Sequence, residues 1–135
     1  MKTKITKKLP IIFLITIFSV FLFSACSSKQ NINISKNDLS SILIVNLESL
    51  TTKNIIDDNN GDFTATIDFL NNLKTSKNKC NNQIGEININ TEENSISLAV
   101  YDNGVMIEDV LYSTENFNYN DFFNSLQAEA VAMQR

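Results

Sequence analysis

The chain has 135 residues, with 11 Lys or Arg, 15 Asp or Glu, no His and no Trp, for a net charge of −4. Four basic residues fall in the first eight positions and every acidic one lies beyond position 25, so residues 26–135 set seven basic against fifteen acidic side chains, a balance of −8. That sign argues against nucleic acid and anionic headgroups as partners, and the absence of His excludes Ser-His and Cys-His catalytic pairs.

Lys2, Lys4, Lys7 and Lys8 form a basic n-region, residues 9–23 an apolar core, and Ser24-Ala25 a small-residue site before Cys26. This is a secretory signal pattern. The apolar run is short for a spanning helix, which needs about 20 apolar residues, and it contains Pro10. Leu22-Phe23-Ser24-Ala25-Cys26 resembles the lipobox of bacterial lipoproteins, although the family more often has Leu where Phe23 stands. The resemblance implies cleavage between Ala25 and Cys26 and a diacylglyceryl group on the Cys26 thiol, with an added N-acyl chain in many bacteria. It also implies a location on the extracytoplasmic face of the cell membrane, held to membrane lipid through acylated Cys26. Two acyl chains suffice for stable attachment. An ordinary cleaved signal peptide would deliver the chain to the same side.

Residues 26–37 are polar with two isolated apolar positions, and they read as a lipidated N-terminus and flexible tether spanning on the order of 18 Å. Residues 38–135 suffice for one small domain with a core and are too few for two. Ser41–Leu47 and Leu50–Ile56 are β-branched runs that suggest a hairpin. In the turn-forming cluster 57–62, Asp62 is the expected N-cap of a helix running to about Lys74, with Phe63, Ile67, Leu70 and Leu73 on its apolar stripe. After a polar loop over 75–83, Ile84, Ile87 and Ile89 mark a third strand, Glu92-Glu93-Asn94 a turn, and Ser95–Tyr101 a fourth.

Asn103-Gly104 suits a type I′ hairpin loop, which would set Val100 opposite Ile107. Asp109 interrupts the apolar face of the last strand, so the expectation is either an edge position or a bulge near Glu108-Asp109 that turns Val110 inward. A second helix, with Asn120 as its expected N-cap, should run to about Met133, with Phe122, Phe123, Leu126, Ala130 and Met133 at helical intervals. The expected fold is α+β: a small, mostly antiparallel sheet in the order β-β-α-β-β-β-α, with two helices packed on one face. This order loosely resembles the YhfM-like domain of Gram-positive lipoproteins, through residues 42–56, the pattern Ile67-Asp68-Phe69-Leu70-Asn71-Asn72-Leu73, and residues 86–112. That resemblance implies surface attachment and no particular chemistry.

Chemistry-bearing patterns are few. Asp57-Asp58-Asn59-Asn60-Gly61-Asp62 fails as an EF-hand, because aligning Gly61 with the sixth position puts Ile56 and Ile67 at ligand positions. Ser76-Lys77-Asn78-Lys79 matches S-x-x-K by chance, since the accompanying penicillin-binding motifs are missing. Cys80, beside Lys77 and Lys79, has no internal disulfide partner once Cys26 is lipidated; it reads as an incidental loop thiol or one that links two chains. Glu92-Glu93 and Glu108-Asp109 read as solvated charge. Phe117 and Tyr119, on an expected loop, are the candidate contacts for a partner. No catalytic, metal-binding or cofactor-binding residue is expected. The functional expectation is a membrane-anchored, non-enzymatic module that binds an envelope protein or ligand. The alternative is an immunity or superinfection-exclusion lipoprotein intercepting a cationic peptide or phage factor.

Overall fold

Strict alternation sets the centre of the sheet. In residues 85–90, GEININ, the period of two sends Ile87 and Ile89 into the core and Glu86, Asn88 and Asn90 to the opposite face. The computed structural model describes residues 35–134; the expected signal peptide 1–25, Cys26 and the tether through residue 34 lie outside the described residues. The fold comprises β1 (Leu39–Asn46), β2 (Thr51–Ile55), α1 (Asp62–Asn71), β3 (Lys74–Thr75), β4 (Gln83–Thr91), β5 (Ser95–Tyr101), β6 (Gly104–Ile107), β7 (Val110–Ser113), α2 (Tyr119–Ser125) and β8 (Ala130–Ala132), preceded by a 3-10 turn over Lys36–Asp38. All eight strands form one antiparallel sheet in the order β3-β7-β6-β5-β4-β1-β2-β8. The expected α+β class is therefore correct, with more strands than foreseen.

Register explains the core. Ile42 lies between Ile55 and Ile89, Ile44 is opposite Ile87, Leu98 is opposite Ile87, and Val100 is opposite Val105. These residues share one face, and on it pack Phe63, Leu70 and Leu73 from the α1 side and Tyr119, Phe122, Phe123 and Leu126 from the α2 side. Leu70 is fully buried, and its truncation to Ala removes about 2–5 kcal/mol. The other face carries polar cross-strand links: the Ser97 hydroxyl bonds to Glu86 at 2.6 Å, Ser95 to Asn90 at 2.8 Å, and the Asn90 amide to Ser41 at 3.1 Å.

Several local expectations are corrected. The N-cap position of α1 is Gly61, with φ +76°, while the Asp62 carboxylate reaches away to the backbone N–H groups of Gln127 (2.9 Å) and Ala128 (2.8 Å). The helix ends at Asn71, and Lys74 begins an edge strand beside β7. In the β5–β6 hairpin the two loop residues are Asp102 and Asn103, and Val100 faces Val105. The shift from the expected register is two residues, which leaves every side chain on its intended face. Gly104 serves close packing, because a Cβ there would collide with the Tyr112 carbonyl and come within 2.9 Å of the Leu111 side chain.

The I′-like loop is instead Glu108-Asp109, with φ values of 49° and 66°, and it splits the expected last strand into β6 and β7. Val110 consequently sits beside that turn, exposed and not turned inward, while Leu111 and Tyr112 are buried. The second helix is also shorter than its periodicity suggests. Asn118, not Asn120, caps it by accepting from the Asp121 N–H at 3.0 Å. At Leu126 the backbone becomes extended, the Lys53 ammonium takes the Leu126 carbonyl at 2.7 Å, and Asp62 takes the next two N–H groups. Those charge-assisted bonds outweigh continuation of the helix, so Ala130 lies in a strand paired with β2 and Met133 follows that strand.

Candidate functional site

The outer side of the helix pair carries an aromatic cluster. Phe69 on α1 stacks on Phe122 of α2, with centroids 4.0 Å apart and planes 9° from parallel, and Phe117 tilts against Phe69 at 5.9 Å. Helical spacing brings Phe69 out beside the core residue Leu70, and the Asn118 cap turns the chain so that Phe117 folds back over α1. Phe69 and Phe117 are each half-buried against the core. Beside them is a pocket of about 240 Å³ lined by Phe69, Leu73, Phe117, Phe122, Asn116 and Asp121. It adjoins a wider polar groove of about 720 Å³, with Asn72, Thr114 and Asn116 common to both. The pocket itself offers ring surface, amides and one carboxylate, Asp121, which suits the capture of an apolar or cationic side chain, while the groove adds Glu115 and Lys74.

The two aromatic candidates from the sequence separate here. Phe117 lines the pocket, whereas Tyr119 is only 1 % exposed and is corrected from a loop contact to a core residue at the first position of α2. Its hydroxyl donates to the Val45 carbonyl at 2.7 Å, and its ring lies against Gly85, where a Cβ would also come within 2.6 Å of the Val45 oxygen. Burial drives the Tyr119 hydroxyl pKa well above its ordinary value of 10.0, with the nearby Glu86 charge adding to the rise and a hydrogen bond to the Glu86 backbone opposing it. Phe69 and Asp121 were missed by the sequence reading. The spacing from Phe69 to Leu70 and Leu73 carried a signal, since it put one large aromatic beside the apolar stripe.

The remaining candidates are occupied by local structure. Asp57 accepts from Asn59 N–H at 3.0 Å, and Asp58 accepts from the Thr64 N–H at 3.1 Å and the Thr64 hydroxyl at 2.8 Å. The Thr64 backbone bond, then the hydroxyl bond, holds the Asp58 pKa below the ordinary carboxylate value, and Lys36 at 3.9 Å adds a smaller pull. Ser76 accepts from the Asn78 N–H at 3.2 Å in a tight turn, and Cys80 is a free, half-buried thiol. Glu92-Glu93 and Glu108-Asp109 are both turn pairs. Another cavity, of about 390 Å³, lies where the chain enters β1 and is lined by Asn37, Asp38, Thr91, Glu92, Glu93 and Ile96. Among the described residues no three metal-ligating side chains converge, and no helix is long and apolar enough to cross a membrane. Comparison with protein-family models, with curated proteins and with solved structures finds no match to this chain.

Proposed function

We propose that this chain is an extracytoplasmic bacterial lipoprotein, cleaved between Ala25 and Cys26 and anchored in the cell membrane by acylated Cys26. Its α+β domain is a non-enzymatic module that binds an envelope protein or ligand through the aromatic pocket at Phe117. The observation that carries this reading is the leader, with four lysines, a fifteen-residue apolar core and Leu22-Phe23-Ser24-Ala25-Cys26 in the order that lipid attachment requires. Mass spectrometry of the native protein tests it: the expected product begins at Cys26 and carries acyl mass. A cytosolic chain with its leader intact and no acyl mass overturns it. For the pocket, a photocrosslinker in place of Phe117 should capture an envelope component that the same group in place of Val110 does not.

The second reading is immunity or superinfection exclusion, in which the domain intercepts a cationic peptide or phage factor. Its support is electrostatic. Residues 26–135 carry a balance of −8, Asp121 sits on the pocket, and among the described residues one ion pair forms, Lys36–Asp58. Most of the acidic charge is thus left to attract a basic ligand. Unchanged sensitivity to such agents after deletion of the gene eliminates this reading.

A further inference from the structure

Among the described residues β8 pairs with β2 alone, and no described strand lies on its other edge. The bond from the Met133 N–H to the Leu50 carbonyl, at 2.9 Å, fixes the phase of this ladder. With Val131 opposite Thr52, Val131 and Met133 turn their N–H and C=O groups toward β2, and by the alternation of an antiparallel ladder Ala130 and Ala132 turn theirs outward. The strand reads Ala-Val-Ala, with neither the charge nor the proline that normally protects a sheet edge. Val131 is 58 % exposed, and Leu50 and Met133 at the same corner are 45 % and 38 % exposed. Leu50 holds φ +55°, a conformation that large apolar residues rarely adopt.

We propose that β8 is the contact between two copies of this chain, which pair antiparallel about a two-fold axis at Val131 and continue one sheet into the other. In this register Ala130 of each copy faces Ala132 of the other, so every outward N–H and C=O of β8 is satisfied. Val131 faces its own twin at the close, non-hydrogen-bonded spacing. The methyl side chains of the flanking alanines let the strands approach. A second copy fits better than a foreign basic strand because the edge is self-complementary and uncharged across β8, while the nearest acidic side chain, Glu129, precedes the strand and falls opposite Met133 of the other copy. The acidic balance of each copy opposes pairing, so the contact strengthens as salt screens that repulsion. A basic partner strand would show the reverse dependence.

The test is register-specific cysteine crosslinking of the full-length chain in the cells that make it, with Cys80→Ser as background. Val131→Cys should give a disulfide-linked dimer on mild oxidation, because a non-hydrogen-bonded antiparallel pair holds its Cα atoms about 4.5 Å apart, within disulfide reach. Ala132→Cys, whose twin is displaced by two residues, and Val110→Cys, exposed beside the β6–β7 turn, should link several-fold less. Higher salt should raise the Val131→Cys yield. Val131→Lys should abolish the dimer, measured by sedimentation of the detergent-solubilised chain, without lowering its melting temperature. Equal linking at positions 110 and 131 overturns the proposal. So does a Val131→Cys thiol that reacts with maleimide but never links to its twin, or that links to a different protein.

Discussion

From β4 to β7 each strand follows its neighbour through a short turn, and residues close in sequence make the ladder. The β1–β2–β8 side is held by side chains that reach across long sequence separations. Asp62 holds the N–H groups of Gln127 and Ala128, Lys53 holds the Leu126 carbonyl while lying 5.0 Å over the Phe123 ring, and Tyr119 holds the Val45 carbonyl. Asn46 and Asn120 bond to each other at 2.8 Å, and Asn120 continues to Glu48 at 2.7 Å. Where local turns supply the register, no buried charge is needed. Where the partner strand comes from the far end of the chain, ionic groups fix its position, which hydrophobic contact alone would leave free to slide.

The largest expected effect strikes the junction of the two sides. Gly85→Val drives a side chain into the Tyr119 ring and the Val45 carbonyl, and should destabilise by about 3 kcal/mol or more, read as a collapse of the thermal transition. Next, Asp62→Ala leaves two N–H groups without their acceptor and should cost about 2–3 kcal/mol. Its distinguishing signature is hydrogen exchange: protection should fall across residues 126–133 and persist in β4–β7. Equal loss on both sides would mean that the sheet opens as one unit, with no separate β1–β2–β8 side.

Tyr119→Phe removes one hydroxyl bond, for about 1 kcal/mol. The folded-state pKa of Tyr119 is raised, so its contribution is fully present below pH about 10 and is lost as pH climbs through the folded value. The wild type should therefore show an alkaline loss of melting temperature above pH about 10 that the Phe variant lacks in part. The smallest effect belongs to the local side. Asp109→Gly relieves a residue at φ 66° and should stabilise by less than about 1 kcal/mol in denaturant titration, with exchange at 126–133 unchanged.

Legibility in the sequence follows the same division. The span Ser95–Tyr101 matches the observed strand end to end, and the β1–β2 hairpin is displaced by only a residue or two, because their periodicity and turns are encoded locally. The register of β5 on β6 missed by two residues because Asn-Gly has two physical uses, a turn or a close backbone approach, and Gly104 has the second. The end of α2 was not legible. Phe122 to Met133 keeps a helical period, and what breaks it is Lys53 and Asp62, which a linear reading assigns to other elements. At the candidate site Phe117 could be picked out as an aromatic on a loop. Tyr119 could not be separated from it, since its burial depends on Gly85, far away in the chain.

The buried pair of charged anchors, Lys53 and Asp62, also acts as a test of completeness. Both are made early, yet the backbone groups that bond to them, and part of what buries them, arrive only with residues 126–128. A copy truncated before that point would lose the partners of both groups together with the segment that covers them, leaving the ammonium and the carboxylate in water and the outer edge of β2 without its strand. Copies lacking residues 126–132 should therefore be cut by proteases at β2 and at the start of α1 before the β4–β7 side is touched.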